Sequence, residues 1–153
     1  MEPEGKIIGV DPGDTTGIAI FESNGIFDTF GQMSTEEVEQ FVTDYAEPVF
    51  LVVVEDFTLQ RGRAVQQSGS KMKASQVIGM MRIFAAHKGA RLIMQDPSKK
   101  DDGARLSQKF PPKNHAASHA VDAYNHAFFR MHQMGLVKSA LERQRLGWDD
   151  SNG

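Results

Sequence analysis

A run of six apolar residues near the middle of the chain constrains the fold more than any other feature of the sequence. Residues 49–54 read Val-Phe-Leu-Val-Val-Val, and Glu55 follows them directly. Because the run has no polar alternation, both faces of the predicted strand must be covered, as in parallel sheets whose crossover helices pack on either side. The run therefore predicts an α/β protein in which Glu55 stands at the carboxyl end of a buried strand.

The flanking segments predict a mixed sheet. Three short apolar runs separated by turn clusters are typical of antiparallel strands, and one further run after a helical stretch predicts a second parallel strand. These strands are predicted at residues 6–10, 18–21, 26–30 and 91–94. The expected fold is a mixed five-stranded sheet, three strands antiparallel and two parallel, with helices on both faces.

Helical spacing and capping signals predict the remaining elements. Ser34 and Glu37 form a capping box, and a loop or a short irregular helix is expected over residues 95–113. The order of elements indicates one domain over residues 1–147 and a flexible tail over 148–153. Helices are predicted from Ser34 to before Pro48, over 74–87, over 114–134, and in a shorter charged segment that ends near Gly147.

Charge is divided unevenly along the chain. The net charge is −3, but 13 of the 20 acidic residues lie in residues 1–60 and 12 of the 17 basic residues lie in residues 61–113. A local basic excess of this kind is typical of contact with a phosphate backbone. The predicted DNA contacts include four basic residues of a Gly/Ser/Gln-rich stretch, namely Arg61, Arg63, Lys71 and Lys73.

Composition also excludes several classes of protein. The chain has no cysteine, so disulfides, thiolate zinc sites and cysteine nucleophiles are excluded, and carboxylates and imidazoles remain as the reactive groups. No apolar stretch approaches the roughly 18 residues that a membrane span needs, and the acidic amino end does not resemble a signal peptide. We expect a cytoplasmic protein.

Carboxylates and imidazoles occur where a metal-dependent phosphodiesterase would need them. Asp11 and Glu55 each end a predicted strand, and His119 and Asp122 lie three residues apart on the last long helix. His115 and His126 extend the same helical stripe and are interpreted as flanking residues or as partners that orient the ligands. The sequence predicts that Asp11, Glu55, His119 and Asp122 hold divalent ions, although Asp11 alone could be an ordinary turn residue.

Three motifs together resemble those of RuvC-type Holliday-junction resolvases. Residues 7–13, with Thr16 and Gly17 after them, are similar to the first motif of that family, residues 52–55 to its second acidic motif, and residues 118–123 to the motif of its last helix. The resemblance covers roughly residues 6 to 132. It implies an RNase H-like fold and a homodimer that nicks symmetric strands of branched DNA with Mg²⁺ or Mn²⁺, two ions in each active site, in a bacterial or phage-infected cell.

The sequence departs from the family pattern at several positions. His119 stands where many members carry aspartate, and an imidazole ligand at this position would favour Mn²⁺. Phe57 lies near the position of an aromatic residue that wedges into the junction, but one residue short of it. The basic helix before the last motif is shortened to a stretch that includes Lys99 and Lys100, and we expect both lysines to contact DNA. Because this helix is short, we expect no strict sequence preference at the cleavage site and a broader activity on branched DNA.

Three other functions are compatible with parts of the pattern. The Asp-Pro-Gly turn also resembles the phosphate loop of actin-like and sugar-kinase ATP-binding domains, although those proteins use two such domains. A nuclease that trims structured RNA would share the fold and the acidic site. A non-catalytic junction-binding protein would bind DNA without cutting it.

Overall fold

The computed structural model describes residues 4–56, 69–110 and 118–148, with side chains described from residue 72 onward in the second range. Five strands and five helices occur in these ranges. In chain order they are β1 (Lys6–Asp11), β2 (Thr16–Phe21), β3 (Phe27–Met33), α1 (Thr35–Asp44), β4 (Val49–Glu55), α2 (Gly69–Lys88), β5 (Arg91–Gln95), α3 (Lys99–Ser107), α4 (Ser118–Gln133) and α5 (Ala140–Arg145).

The strands form one mixed sheet in the order β3-β2-β1-β4-β5. β1, β2 and β3 form an antiparallel meander, whereas β4 pairs in parallel with β1 on one side and with β5 on the other. The mixed sheet predicted from the sequence is therefore confirmed. β4, the continuous apolar run, lies between two parallel neighbours, and four of its seven residues have no exposed surface.

Two apolar cores lie on the two faces of the sheet. On one face, Ile8, Val10 and Val52 pack with residues of α1 and α2. On the other face, Ile7 and Val53 pack with residues of α4. Side chains alternate along a strand, so two residues that are separated by one position in the same strand face the same core.

Some element boundaries differ from those expected. The Ser34–Glu37 capping box is present at the start of α1. Helix α2 begins at Gly69 rather than near residue 74, because its first residues carry no apolar period. Of the two alternatives for residues 95–113, the short helix is the observed one, α3. Helix α4 is described from Ser118, and the predicted start at Asn114 lies outside the described residues.

Helix α4 packs against the sheet with its backbone unusually close to two strands. A methyl carbon added at Gly17 of β2 would lie 1.8 Å from the carbonyl oxygen of His119, and one added at Gly9 of β1 would lie 2.2 Å from that of Ala123. Such distances are far below van der Waals contact, so only glycine fits at either position. The two glycines therefore set how closely the first turns of α4 approach the ends of β1 and β2.

Within the described ranges, none of the helices combines the length and the apolar character that crossing a membrane requires.

We predict that Gly17→Ala lowers the free energy of unfolding by about 3 kcal/mol, because the added methyl group overpacks the contact between α4 and the sheet. Denaturant unfolding measures the change. The control is Gly79→Ala on α2, where an added methyl carbon meets no atom within 4 Å. That variant should gain about 0.5–1 kcal/mol from helix propensity. Equal changes in both variants would contradict the interpretation.

Candidate active site

Two neighbouring parallel strands end in carboxylates at the same edge of the sheet. β1 ends at Asp11, β4 ends at Glu55, and the register pairs the preceding residues, Val10 and Val54. Asp11 follows Ile7 by four residues and Glu55 follows Val53 by two, so both carboxylates face the side of the sheet that α4 covers. The strands therefore present the two carboxylates side by side.

The first turns of α4 bring an imidazole and a third carboxylate to this edge. His119 Nδ1 lies 2.9 Å from Asp11 Oδ2, and Asp122 follows one turn later on the same side of the helix. The backbone N–H of His119 donates to Gln32 Oε1 of β3 at 3.0 Å, which ties the start of α4 to the edge strand. Asp11, Glu55, His119 and Asp122, which lie far apart in sequence, thus converge on one place.

Lys100 of α3 lies between two of these carboxylates. Its Nζ is 3.4 Å from Glu55 Oε1 and 3.7 Å from Asp122 Oδ2. Burial would lower the pKa of Lys100, but the charges of Glu55, Asp122 and Asp11 outweigh burial and raise it. Burial raises the pKa of Asp122, and the nearby Lys100 charge opposes that rise. Lys100 therefore stays charged and acts as the counter-ion of the carboxylates.

Asp11 and Glu55 interact with each other, and their pKa values shift in opposite directions. Burial raises the pKa of Asp11 to about 9, and the hydrogen bond with Glu55 and the Glu55 and Asp122 charges act in the same direction. Burial would also raise the pKa of Glu55, but its contacts with His126 and Asp11 and the Lys100 charge outweigh burial and lower the pKa to about 2. Burial and the neighbouring carboxylates therefore disfavour the ionised form of Asp11.

The chemistry of this donor set fits a divalent cation. Carboxylate oxygens are the ligands that Mg²⁺ and Mn²⁺ prefer, and an imidazole is acceptable to Mn²⁺. The raised pKa of Asp11 and the contacts of the Lys100 ammonium indicate that the clustered carboxylates favour positive charge among them. Among the residues described, no three His, Asp or Glu side chains form a ready-made metal site. A bound cation would therefore favour the ionised form of Asp11 and would replace the Lys100 contacts.

The residues expected to contact DNA fall into three groups. Lys73 is exposed on α2. Lys99 pairs with Asp102 at 3.7 Å and lies over the ring of Phe129, whereas the neighbouring Lys100 reaches into the carboxylate cluster. Outside the described residues lie Phe57, Arg61 and Arg63, and His115 lies there as well. Lys71 is on α2, but its side chain is not described.

Sequence reasoning missed one residue of the site and left two alternative roles for another. Gln95 ends β5 beside Glu55 in the register, and its amide contacts His126, which is fully buried on α4. The signal for Gln95 is its place as the last residue of a parallel strand, the same place that Asp11 and Glu55 occupy in theirs. The sequence left open whether His126 flanks the site or orients a ligand, because its contact depends on how α4 is rotated over the sheet.

No protein-family model and no curated protein matches the sequence. Solved structures do match. The structure of T. thermophilus RuvC in complex with Holliday junction substrate superposes with a TM-score of 0.58 and 16% sequence identity, covering 88% of this chain and 98% of that chain. A structure of Thermus thermophilus RuvC alone gives a TM-score of 0.51 and 17% identity, covering 88% and 99% of the two chains. The chain thus has the RuvC-like form of the RNase H-like fold, as the sequence motifs predicted.

Proposed function

We propose that the protein is a metal-dependent endonuclease that cuts branched DNA, with four-way junctions as the first substrate to test. The observation that carries the proposal is the convergence of three carboxylates and an imidazole at one edge of the sheet, from β1, β4 and α4. The fold supports it, because a RuvC with this fold has been solved in complex with Holliday junction substrate. The reaction would be hydrolysis of a phosphodiester bond.

The proposed ligands of two Mg²⁺ or Mn²⁺ ions are Asp11, Glu55, His119 and Asp122. Such ions activate a water molecule and stabilise the charge that develops on the leaving oxygen. Asp11 would be shared by both ions, and Glu55 and Asp122 would each complete one. His119 is exposed on one side while it contacts Asp11, so it can serve as a ligand or carry a proton near the leaving group.

The DNA partner and the assembly follow from the same proposal. Paired nicks in symmetric strands need two sites, so we propose that the enzyme acts as a homodimer in the cytoplasm of a bacterial or phage-infected cell. Basic residues on and before α2 would contact the phosphates, and Phe57 would lie near the branch point. The proposed DNA contacts are Arg61, Arg63, Lys71, Lys73, Lys99 and Lys100.

We predict that Asp11→Asn abolishes cleavage of a four-way junction while leaving junction binding intact. The substitution removes the carboxylate that both ions would share, and a loss of at least about a thousandfold in rate is expected. End-labelled junctions with Mg²⁺ or Mn²⁺ measure cleavage, and gel shifts in EDTA measure binding. The control is Asp44→Asn, the same chemical change at an exposed position on α1, which should cut at the wild-type rate.

The same assay separates the rival functions. Linear duplex, flaps and structured RNA are tested beside the junction. Symmetric paired nicks support a resolvase, and equal cutting of flaps and forks indicates a general branch endonuclease. Cutting of RNA alone favours the trimming nuclease, ATP hydrolysis without cleavage favours the actin-like alternative, and binding without any cleavage refutes the catalytic proposal.

The basic residues of α2 should contribute to the salt dependence of junction binding. Each neutralised phosphate contributes ~0.9 to the slope of log affinity against log salt. We predict that replacing Lys71 and Lys73 together with alanine flattens this slope by about 1.8. Lys138→Ala, beyond the far end of α4, is the control and should leave the slope unchanged. An unaltered slope in the double variant would show that these lysines do not touch phosphates.

Lys100 should compete with the metal ions for the carboxylates. We predict that Lys100→Met raises the affinity for Mn²⁺ by about fivefold, because two ion pairs no longer have to be broken when the metal binds. Calorimetric titration with Mn²⁺ measures the affinity. Lys99→Met is the matched control, because Lys99 pairs with Asp102 and its loss should leave the Mn²⁺ affinity unchanged. Equal affinity in the Lys100 variant and the wild type would exclude the competition.

A further inference from the structure

A buried polar pair lies directly behind the carboxylate cluster. His126 is 0% exposed on α4, one turn beyond Asp122, and Gln95 is 2% exposed at the end of β5. Polar groups are rarely buried so completely unless they have hydrogen-bond partners. The contacts of this pair show what it can do for the neighbouring Glu55.

The orientation of the Gln95 amide is fixed by three contacts. Gln95 Nε2 lies 2.9 Å from His126 Nδ1 and 3.0 Å from the His126 carbonyl oxygen, and Gln95 Oε1 lies 3.3 Å from Arg130 Nε. A reversed amide would set its oxygen against the carbonyl oxygen and its NH₂ group against the guanidinium. Both contacts would then be repulsive, so the NH₂ group faces His126.

This orientation determines which ring nitrogen of His126 carries the proton. The NH₂ group of Gln95 donates to Nδ1, so Nδ1 must offer its lone pair and the proton lies on Nε2. Nε2 is 3.5 Å from Glu55 Oε1, longer than a normal hydrogen bond, and it has no closer partner among the described residues. This buried N–H therefore makes no normal hydrogen bond with the described residues, and the carboxylate of Glu55 lies beside it as an acceptor.

Lys100 approaches the same oxygen of Glu55 from another side, at 3.4 Å. The Lys100 ammonium is partly exposed on α3 and would be displaced by a metal ion, whereas the imidazole is enclosed between α4 and the end of β5. After such a displacement, the Nε2–H of His126 would be the remaining contact on Oε1. The two contacts therefore differ in whether they can persist in the metal-bound site.

We infer that His126 is a positioning residue whose Nε2–H, oriented by Gln95 and Arg130, holds the Glu55 carboxylate in the direction that metal binding requires. The inference rests on the proposed function, since it takes Glu55 as a metal ligand. Hydrogen bonds that orient ligands commonly change metal affinity by tenfold to a hundredfold. The role differs from that of a ligand, because His126 would touch neither the metal nor the DNA.

Mn²⁺ titration of two His126 variants tests the inference. His126→Phe keeps a ring but removes the donor, and its Mn²⁺ affinity should fall by about tenfold to a hundredfold. His126→Gln keeps an N–H at a similar reach and should recover most of the affinity. Phe128→Leu, a buried substitution in the same helix, is the control and should lower Tm without changing the affinity. Glutamine and phenylalanine variants with equal affinity, or a loss of affinity in all three variants, would overturn the inference.

A second measurement keeps this test separate from the proposed function. Long-range ¹H–¹⁵N spectra of the metal-free protein report which nitrogen of His126 is protonated. A proton on Nε2, with resonances that shift in Glu55→Gln, is the expected result, and a proton on Nδ1 overturns the inference whatever the metal does. Wild-type protein that shows the Nε2 proton but binds no Mn²⁺ would refute both the metal-dependent proposal and the role of His126 in metal binding.

Discussion

The backbone contact between α4 and the sheet is the constraint on which the rest of the site depends. At Gly9 and Gly17 the carbonyl oxygens of the helix occupy the space where side chains would otherwise lie. Only this close approach lets His119, on the first turn of α4, reach Asp11 within hydrogen-bond distance. The position of the helix is thus set by the absence of side chains on the strands, and the geometry of the carboxylate cluster follows from it.

Charge balance is the second determinant of the site. Three carboxylates from separate elements lie close together, which raises the pKa of Asp11, and Lys100 offsets part of their charge. Lys100 reaches them because α3 packs closely on α4, where an added methyl carbon at Gly103 would lie 2.0 Å from the Asn125 carbonyl oxygen. Ser107 also donates to Asn125 Oδ1 at 2.8 Å. The same helix therefore carries Asp122 and supports the element that carries its counter-ion.

The fold and the strand-end acids were predictable because their signals are local. The apolar run before Glu55 and the turn after Asp11 identify both strand ends without knowledge of the rest of the chain. Helix α3 was harder to predict, because its buried residues are Gly103, Ala104 and Ser107, and such small side chains give no apolar period. The role of Gln95 depends on the register of β5 beside β4, which pairs it with Glu55 and which no local pattern encodes.

Two glutamines attach α4 to the opposite edges of the sheet. Gln32 on β3 accepts from the backbone of His119, and Gln95 on β5 donates to His126 two turns further along the helix. The helix is thus braced across all five strands rather than on the central pair alone. Rotation of α4 about its own axis would break one of these contacts. The two edge strands therefore fix the angle at which α4 presents its polar face, which carries His119, Asp122 and His126. In evolutionary terms, positions 95 and 126 should be free to change only as a pair, whereas Gln32 contacts a backbone N–H that every residue except proline would offer at position 119.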